Sequence, residues 1–76
     1  MSPDKLIYMA NQIARSFKSR ARSEAITATA EHISNFWEPR MRAQLFELMD
    51  ENSSRFDAIL LDARPSIRSV AGHRPK

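Results

Sequence analysis

Cysteine is absent from the 76 residues, and glycine occurs once, at Gly72. The first absence excludes a disulfide framework, a thiolate zinc site and a cysteine-held iron-sulfur cluster, and it fits a reducing compartment. The second leaves the body of the chain without a glycine-rich turn that cradles a phosphate or dinucleotide, so the usual nucleotide enzymes are excluded. Histidine is scarce too, and His32 and His73 alone do not make a metal site. Long hydrophobic runs are missing: the longest, Leu6 to Ala10, has five members, against the roughly 20 that a membrane-spanning helix needs. Asp4 stands where a secretory signal carries basic residues. These features lead to the expectation of a cytoplasmic chain that makes no membrane contact.

What the sequence does have is charge, unevenly placed. The formal net charge is +3. Residues 1–63 hold eight basic and nine acidic side chains, whereas residues 64–76 hold Arg64, Arg68, Arg74 and Lys76 with no acid. Arg15, Lys18, Arg20 and Arg22 form a basic knot, and most of the acids follow it. A slightly acidic body with a cationic tail is therefore expected: one domain over residues 1–63, and a flexible, disordered basic tail over residues 64–76. A body of this size buries about 60% of the surface its unfolded chain exposes.

Ser2-Pro3-Asp4 is a helix start, with a capping hydroxyl, a proline where no amide donor is missed and an acid favoured by the helix dipole. A first helix is expected over about residues 3–17, with Leu6, Met9, Ala10, Ile13 and Phe17 on one stripe. No proline or glycine separates it from the next apolar segment. The phase does: Ile26, Ala30, Ile33 and Trp37 would centre roughly 160° around a continuous axis from the first stripe. A break at Lys18 to Arg22 is therefore expected, with Ser23 capping a second helix that stops by Trp37 or Glu38, before Pro39.

Pro39 opens a third helix with Met41, Leu45, Leu48 and Met49 inward, and Asn52 is expected to turn the chain in the left-handed conformation. A short fourth helix over about residues 55–63 would bury Phe56, Ile59, Leu60 and Ala63, with Ser54 and Asp57 as a capping box. The fold class is thus all-α, a small bundle of three helices plus a short fourth, with no strand.

Catalysis finds little support, because a general base needs a cleft and a partner that shifts its pKa. His32, four residues before Phe36, reads as a helix-surface histidine. Nucleic-acid binding would use Arg40, Arg42 and Gln44 at the start of a recognition helix, but Glu47, Asp50 and Glu51 on the same helix repel phosphates. A protein-protein interface fits better. Tyr8, Phe46, Leu61 and either Phe36 or Trp37 remain off the core stripes. Arg40 and Arg42 occupy the first turn of the third helix, where the dipole disfavours cations. Glu38 excuses Arg42 as a helix ion pair, which leaves Arg40 beside Trp37 as an anchor for a partner's carboxylates or carbonyls.

Met9-Ala10-Asn11-Gln12-Ile13-Ala14, Glu31-His32-Ile33-Ser34-Asn35-Phe36-Trp37-Glu38-Pro39-Arg40-Met41-Arg42 and Leu45 resemble the delta subunit of cytoplasmic NAD-dependent formate dehydrogenases over roughly residues 4–50. Ser16 departs from the family, which often has an aromatic there. The resemblance implies a non-catalytic accessory subunit, not an enzyme by itself, that stabilises or helps mature the catalytic subunit. That enzyme oxidises formate to carbon dioxide with NAD. Its molybdenum or tungsten pterin, iron-sulfur clusters and flavin are carried on larger subunits, so no cofactor, metal or catalytic residue is expected in this chain. By matching motif, the expected partner-binding residues are His32, Phe36, Trp37, Pro39, Arg40 and Arg42, with Asn11 and Gln12 behind them. The alternatives are a transient maturation chaperone for the same catalytic subunit and a small nucleic-acid binder. A homodimer of the isolated chain is a further expectation.

Overall fold

Ser2 caps the first helix as its position implies. Its Oγ accepts the Lys5 N–H at 3.2 Å, Pro3 occupies the first turn, and α1 runs over Pro3–Ser16. The computed structural model describes residues 1–69. Within them α2 spans Arg22–Phe36, α3 spans Pro39–Glu51 and α4 spans Ala58–Ala63, with 3-10 turns at Ser53–Arg55 and Arg64–Ser66 and no strand among the described residues.

The break between α1 and α2 falls where the phase required it. Phe17 closes α1 by donating its N–H to Ala14 O, and Arg20 N–H reaches Phe17 O at 3.0 Å. The start of α2 differs from expectation: Ala21 holds the cap position with no side-chain acceptor, and Ser23 lies inside the first turn. The tight turn is complete one residue before Ser23, so its hydroxyl is too late to cap. The first-turn amides face solvent instead, residues 21–24 being exposed.

Leu6, Ile33, Leu45, Met49 and Leu60 are fully buried at the centre, one or more from each helix. Around them Ala10, Ala14, Ala25, Ala30 and Ala63 are buried as well, and their small side chains let helix axes approach closely. The most extensive helix contact joins α2 to α4. The inward stripe of α1 is rotated from expectation toward Ile7, Asn11 and Ala14, while Met9, Ile13 and Phe17 are only partly buried at its edge. Phe46, expected off the core, is buried, with the Arg64 guanidinium 5.4 Å from its ring centroid. Leu61 is half-buried against the core.

Two further expectations are corrected. Asn52 has φ −144°, so it is not left-handed; it closes α3 through its N–H to Leu48 O at 2.8 Å. The fourth helix begins at Ala58 rather than Arg55, because Phe56 is extended, with φ −105° and ψ 144°. The cause lies far along the chain. Asn11, on α1, donates Nδ2–H to Arg55 O at 3.0 Å and accepts the Asp57 N–H at 2.9 Å on Oδ1. Those bonds hold the backbone open around Phe56, and Asp57 then caps α4 by accepting the Ile59 N–H at 3.0 Å. Ser54 sits in the 3-10 turn and caps nothing.

The expected tail boundary also moves. Pro65 does end α4, but the chain stays packed beyond it: Ile67 is buried, and Arg68 bonds to the end of α2. The remainder of the tail expected over residues 64–76, residues 70–76, lies outside the described residues.

Candidate functional site: the exposed end of α2

The corner between α2 and α3 is built from backbone carbonyls and two guanidiniums. Pro39 forces α2 to stop, so the last carbonyls of that helix have no amide above them. Trp37 is extended, with φ −90° and ψ 138°, which turns its ring into the core, 6% exposed. Arg42, in the first turn of α3, points the same way and is 6% exposed. Its Nη1 donates to Trp37 O at 2.7 Å, with a longer 3.5 Å contact to Ser34 O, and its Nε donates to Arg68 O at 3.2 Å.

Arg68 completes the corner. Its backbone N–H reaches Ser34 Oγ at 2.9 Å, Nη1 reaches Ser34 O at 3.1 Å, and Nη2 reaches Asn35 Oδ1 at 3.3 Å. Two cations therefore cap the negative end of the α2 dipole, where they are favoured. This accounts for one of the two misplaced arginines. Arg42 is disfavoured by its own helix but satisfied by the helix before it, and the expected ion pair with Glu38 is not formed.

The corner divides the expected interface residues into two sets. Asn11, Trp37 and Arg42 are buried and engaged within the chain, so they are not available to a partner on the folded surface. Gln12, Pro39 and Arg40 are exposed, and His32 is half-buried. Gln12 donates to Tyr8 Oη at 3.2 Å. Arg40 does not stand beside an exposed Trp37, because the indole is inside.

The adjacent residue is the one left outside. Phe36 is 75% exposed and stacks against His32 four residues earlier, with ring centroids 5.0 Å apart and planes tilted by 38°. Facing it across a cleft of about 280 Å³ is Phe17 at the end of α1, whose ring carries the Arg20 guanidinium 5.1 Å from its centroid. Glu31 and Asn35 also line this cleft. Tyr8, 61% exposed, lines a different cleft with Asp4, Arg15 and Arg55. Phe17, Arg20, Asn35 and Arg68 were missed as surface candidates from the sequence. The spacing of Phe17 and Arg20 was a usable signal, since three residues bring a cation over a ring in a helical turn.

The rest of the basic knot is spent on the fold. Lys18 pairs with Asp57 at 2.9 Å and Arg22 pairs with Asp62. Burial pushes the Asp57 carboxyl up, but the Ile59 N–H, the Lys18 ammonium and Arg15 outweigh it and hold the carboxyl below its ordinary value. Of the three residues that a recognition helix would present to nucleic acid, Arg42 is buried and Gln44 donates to Met1 O at 3.1 Å.

The described residues thus define a small all-α bundle with an aromatic and cationic surface at one helix end, and no group of three or more His, Asp or Glu among them is placed to hold a metal ion. The model of one protein family, the NADH-dependent formate dehydrogenase delta subunit FdsD, matches residues 5–64, and the chain belongs to that family. Neither the curated proteins nor the solved structures contain a match to it.

Proposed function

We propose that this chain is a non-catalytic accessory subunit of a cytoplasmic formate dehydrogenase, which binds the catalytic molybdenum or tungsten subunit and stabilises it or helps it mature. Family membership supplies the enzyme, and the observation that carries the binding role is the exposure of Phe36. A phenylalanine left 75% exposed on a domain with so little core forgoes about 1.5 to 3 kcal/mol of burial. A partner surface recovers that energy. The pterin, iron-sulfur clusters and flavin belong on this reading to the larger subunits, where formate is oxidised and NAD reduced.

Co-purification tests the proposal. Tagged full-length chain should bring down the catalytic subunit in fixed stoichiometry, and deletion of its gene should lower the yield of active enzyme. Capture of the cofactor-free catalytic subunit alone would make the chain a maturation chaperone. Capture of no formate dehydrogenase subunit would sink the proposal.

A further inference from the structure

We infer that the cleft between Phe17 and Phe36 receives an acidic segment of the partner protein, which inserts an apolar side chain between the two rings. The inference rests on the accessory-subunit reading and gives that interface a place and a chemistry.

The apolar component comes from the two rings. Phe36 stands on His32, and Phe17 stands at the end of α1, so the walls come from different helices and their spacing is fixed by the α1–α2 turn. A cleft of about 280 Å³ has room for one or two side chains and none for a folded domain.

The charge of the occupant follows from what flanks the rings. Arg20 lies over Phe17, and Arg68 reaches Asn35 on the cleft wall. Neither guanidinium meets a carboxylate among the described residues. Lys18 and Arg22, on either side of Arg20 in the sequence, both do, so the fold neutralises those two and leaves Arg20 between them without a carboxylate. Arg20 and Glu31 are the charged side chains that line the cleft, and Arg68 adds a second guanidinium at its wall through Asn35. Arginines held by ring stacking and by amide contacts are preoriented donors for carboxylates, and complementary charge across an interface sets its register and its rate of association.

Two other occupants fit poorly. The chain's own residues 70–76 carry Arg74 and Lys76 and no acid, so they hold no carboxylate for the two guanidiniums to take. A second copy docking symmetrically on this cleft would bring an identical cleft, with the same guanidiniums and single acid, rather than a carboxylate-rich segment.

The test uses the full chain produced together with the larger formate dehydrogenase subunits, with a photo-crosslinking phenylalanine analogue at position 36. The expected product joins position 36 to a catalytic-subunit peptide in which Asp and Glu outnumber Lys and Arg. A crosslink to a neutral or basic peptide, or to a second copy, would overturn the inference. In parallel, purified chain is added back to complex prepared without it. Phe36→Ser and Arg20→Glu should each raise Kd by about tenfold or more with melting temperature unchanged, since neither side chain is buried. Binding of the wild-type chain should weaken as NaCl rises from about 50 to about 500 mM. If the wild type binds and both variants bind equally well, the cleft is wrong and the accessory-subunit reading stands. If the wild type does not bind the catalytic subunit, both fall.

Discussion

Replacing Arg42 by alanine should be among the most damaging single changes to the isolated domain, although sequence pattern places it on the surface. The side chain is 6% exposed and makes two good hydrogen bonds from a charged donor, to Trp37 O at 2.7 Å and Arg68 O at 3.2 Å. Each such bond contributes ~1.5 to 3 kcal/mol when its partner is otherwise stranded. Alanine also removes the cost of burying the guanidinium and leaves a space that water enters to reach the carbonyls, which offsets part of the loss. The net loss is about 2 to 4 kcal/mol, on a domain whose whole stability is roughly 4 to 11 kcal/mol.

At about 4 to 8 °C per kcal/mol for this size, the melting temperature should fall by roughly 10 to 30 °C. Thermal melts followed by far-UV circular dichroism on the purified chain measure this directly. Arg42→Lys should recover less than half of the loss, because an ammonium on a single stem cannot aim at the two carbonyls that Nε and Nη1 reach in different directions. An alanine variant that melts within about 3 °C of the wild type, or a lysine variant that matches it, would refute the assignment of Arg42 to the corner.

Arg40→Ala, two residues away, should leave stability unchanged or raise it by the ~0.3 to 1 kcal/mol that a cation loses at a helix N-terminus, while weakening association with the catalytic subunit; a destabilised variant that associates normally would contradict this. Asn11→Ala strands Arg55 O and the Asp57 N–H and should cost ~2 to 3 kcal/mol, with hydrogen exchange rising first around residues 55–59. Asp57→Asn keeps an oxygen for the Ile59 N–H but removes the charge that faces Lys18 and Arg15. Because the folded carboxyl is held low, its contribution is present at neutral pH and lost as pH falls below about 4. Lys18 is 54% exposed, so screening limits the gap from wild type to ~0.5 to 1 kcal/mol at pH 7. The gap should narrow as pH falls through the acid range, and a gap that does not change with pH would remove the charge from the explanation. Ala21→Ser should stabilise the chain by ~0.5 to 1 kcal/mol by giving α2 the acceptor it lacks, seen as a higher urea midpoint.

The helix limits were legible where covalent geometry sets them. Pro3 and Pro39 open helices, Ser2 caps, and the 160° phase jump forces a turn between Phe17 and Arg22, all within a few residues of their cause. What was not legible depends on groups far apart in sequence. The late start of α4 is imposed by Asn11, and its two bonds span 44 and 46 residues. Arg42 turns inward because Arg68, 26 residues later, brings its carbonyl to the corner. Phe46 is covered because Arg64, beyond the end of α4, lays its guanidinium over the ring. The pattern left Phe36 and Trp37 as equals. The extended backbone at Trp37, a consequence of Pro39 two residues on, put one ring in and left the other out.

This separation changes how the resemblance to a delta subunit translates into residues. A motif matched along the chain mixes positions kept by the fold with positions kept by a partner, and Asn11, Trp37 and Arg42 now have sufficient intramolecular reasons for their identity. Substituting them should lower stability, and association would fall only as a consequence of that loss. His32, Phe36, Pro39 and Arg40 lack such reasons in full: two are rings stacked at the surface, one is a helix-opening proline, and one is a cation that its own helix disfavours. Substituting Phe36 or Arg40 should weaken association at constant melting temperature. The ratio of the two effects, measured across all eight residues, therefore reads out the interface without a structure of the complex. A set in which Trp37 and Arg42 weakened association while the melting temperature held steady would mean that the corner opens when the partner binds.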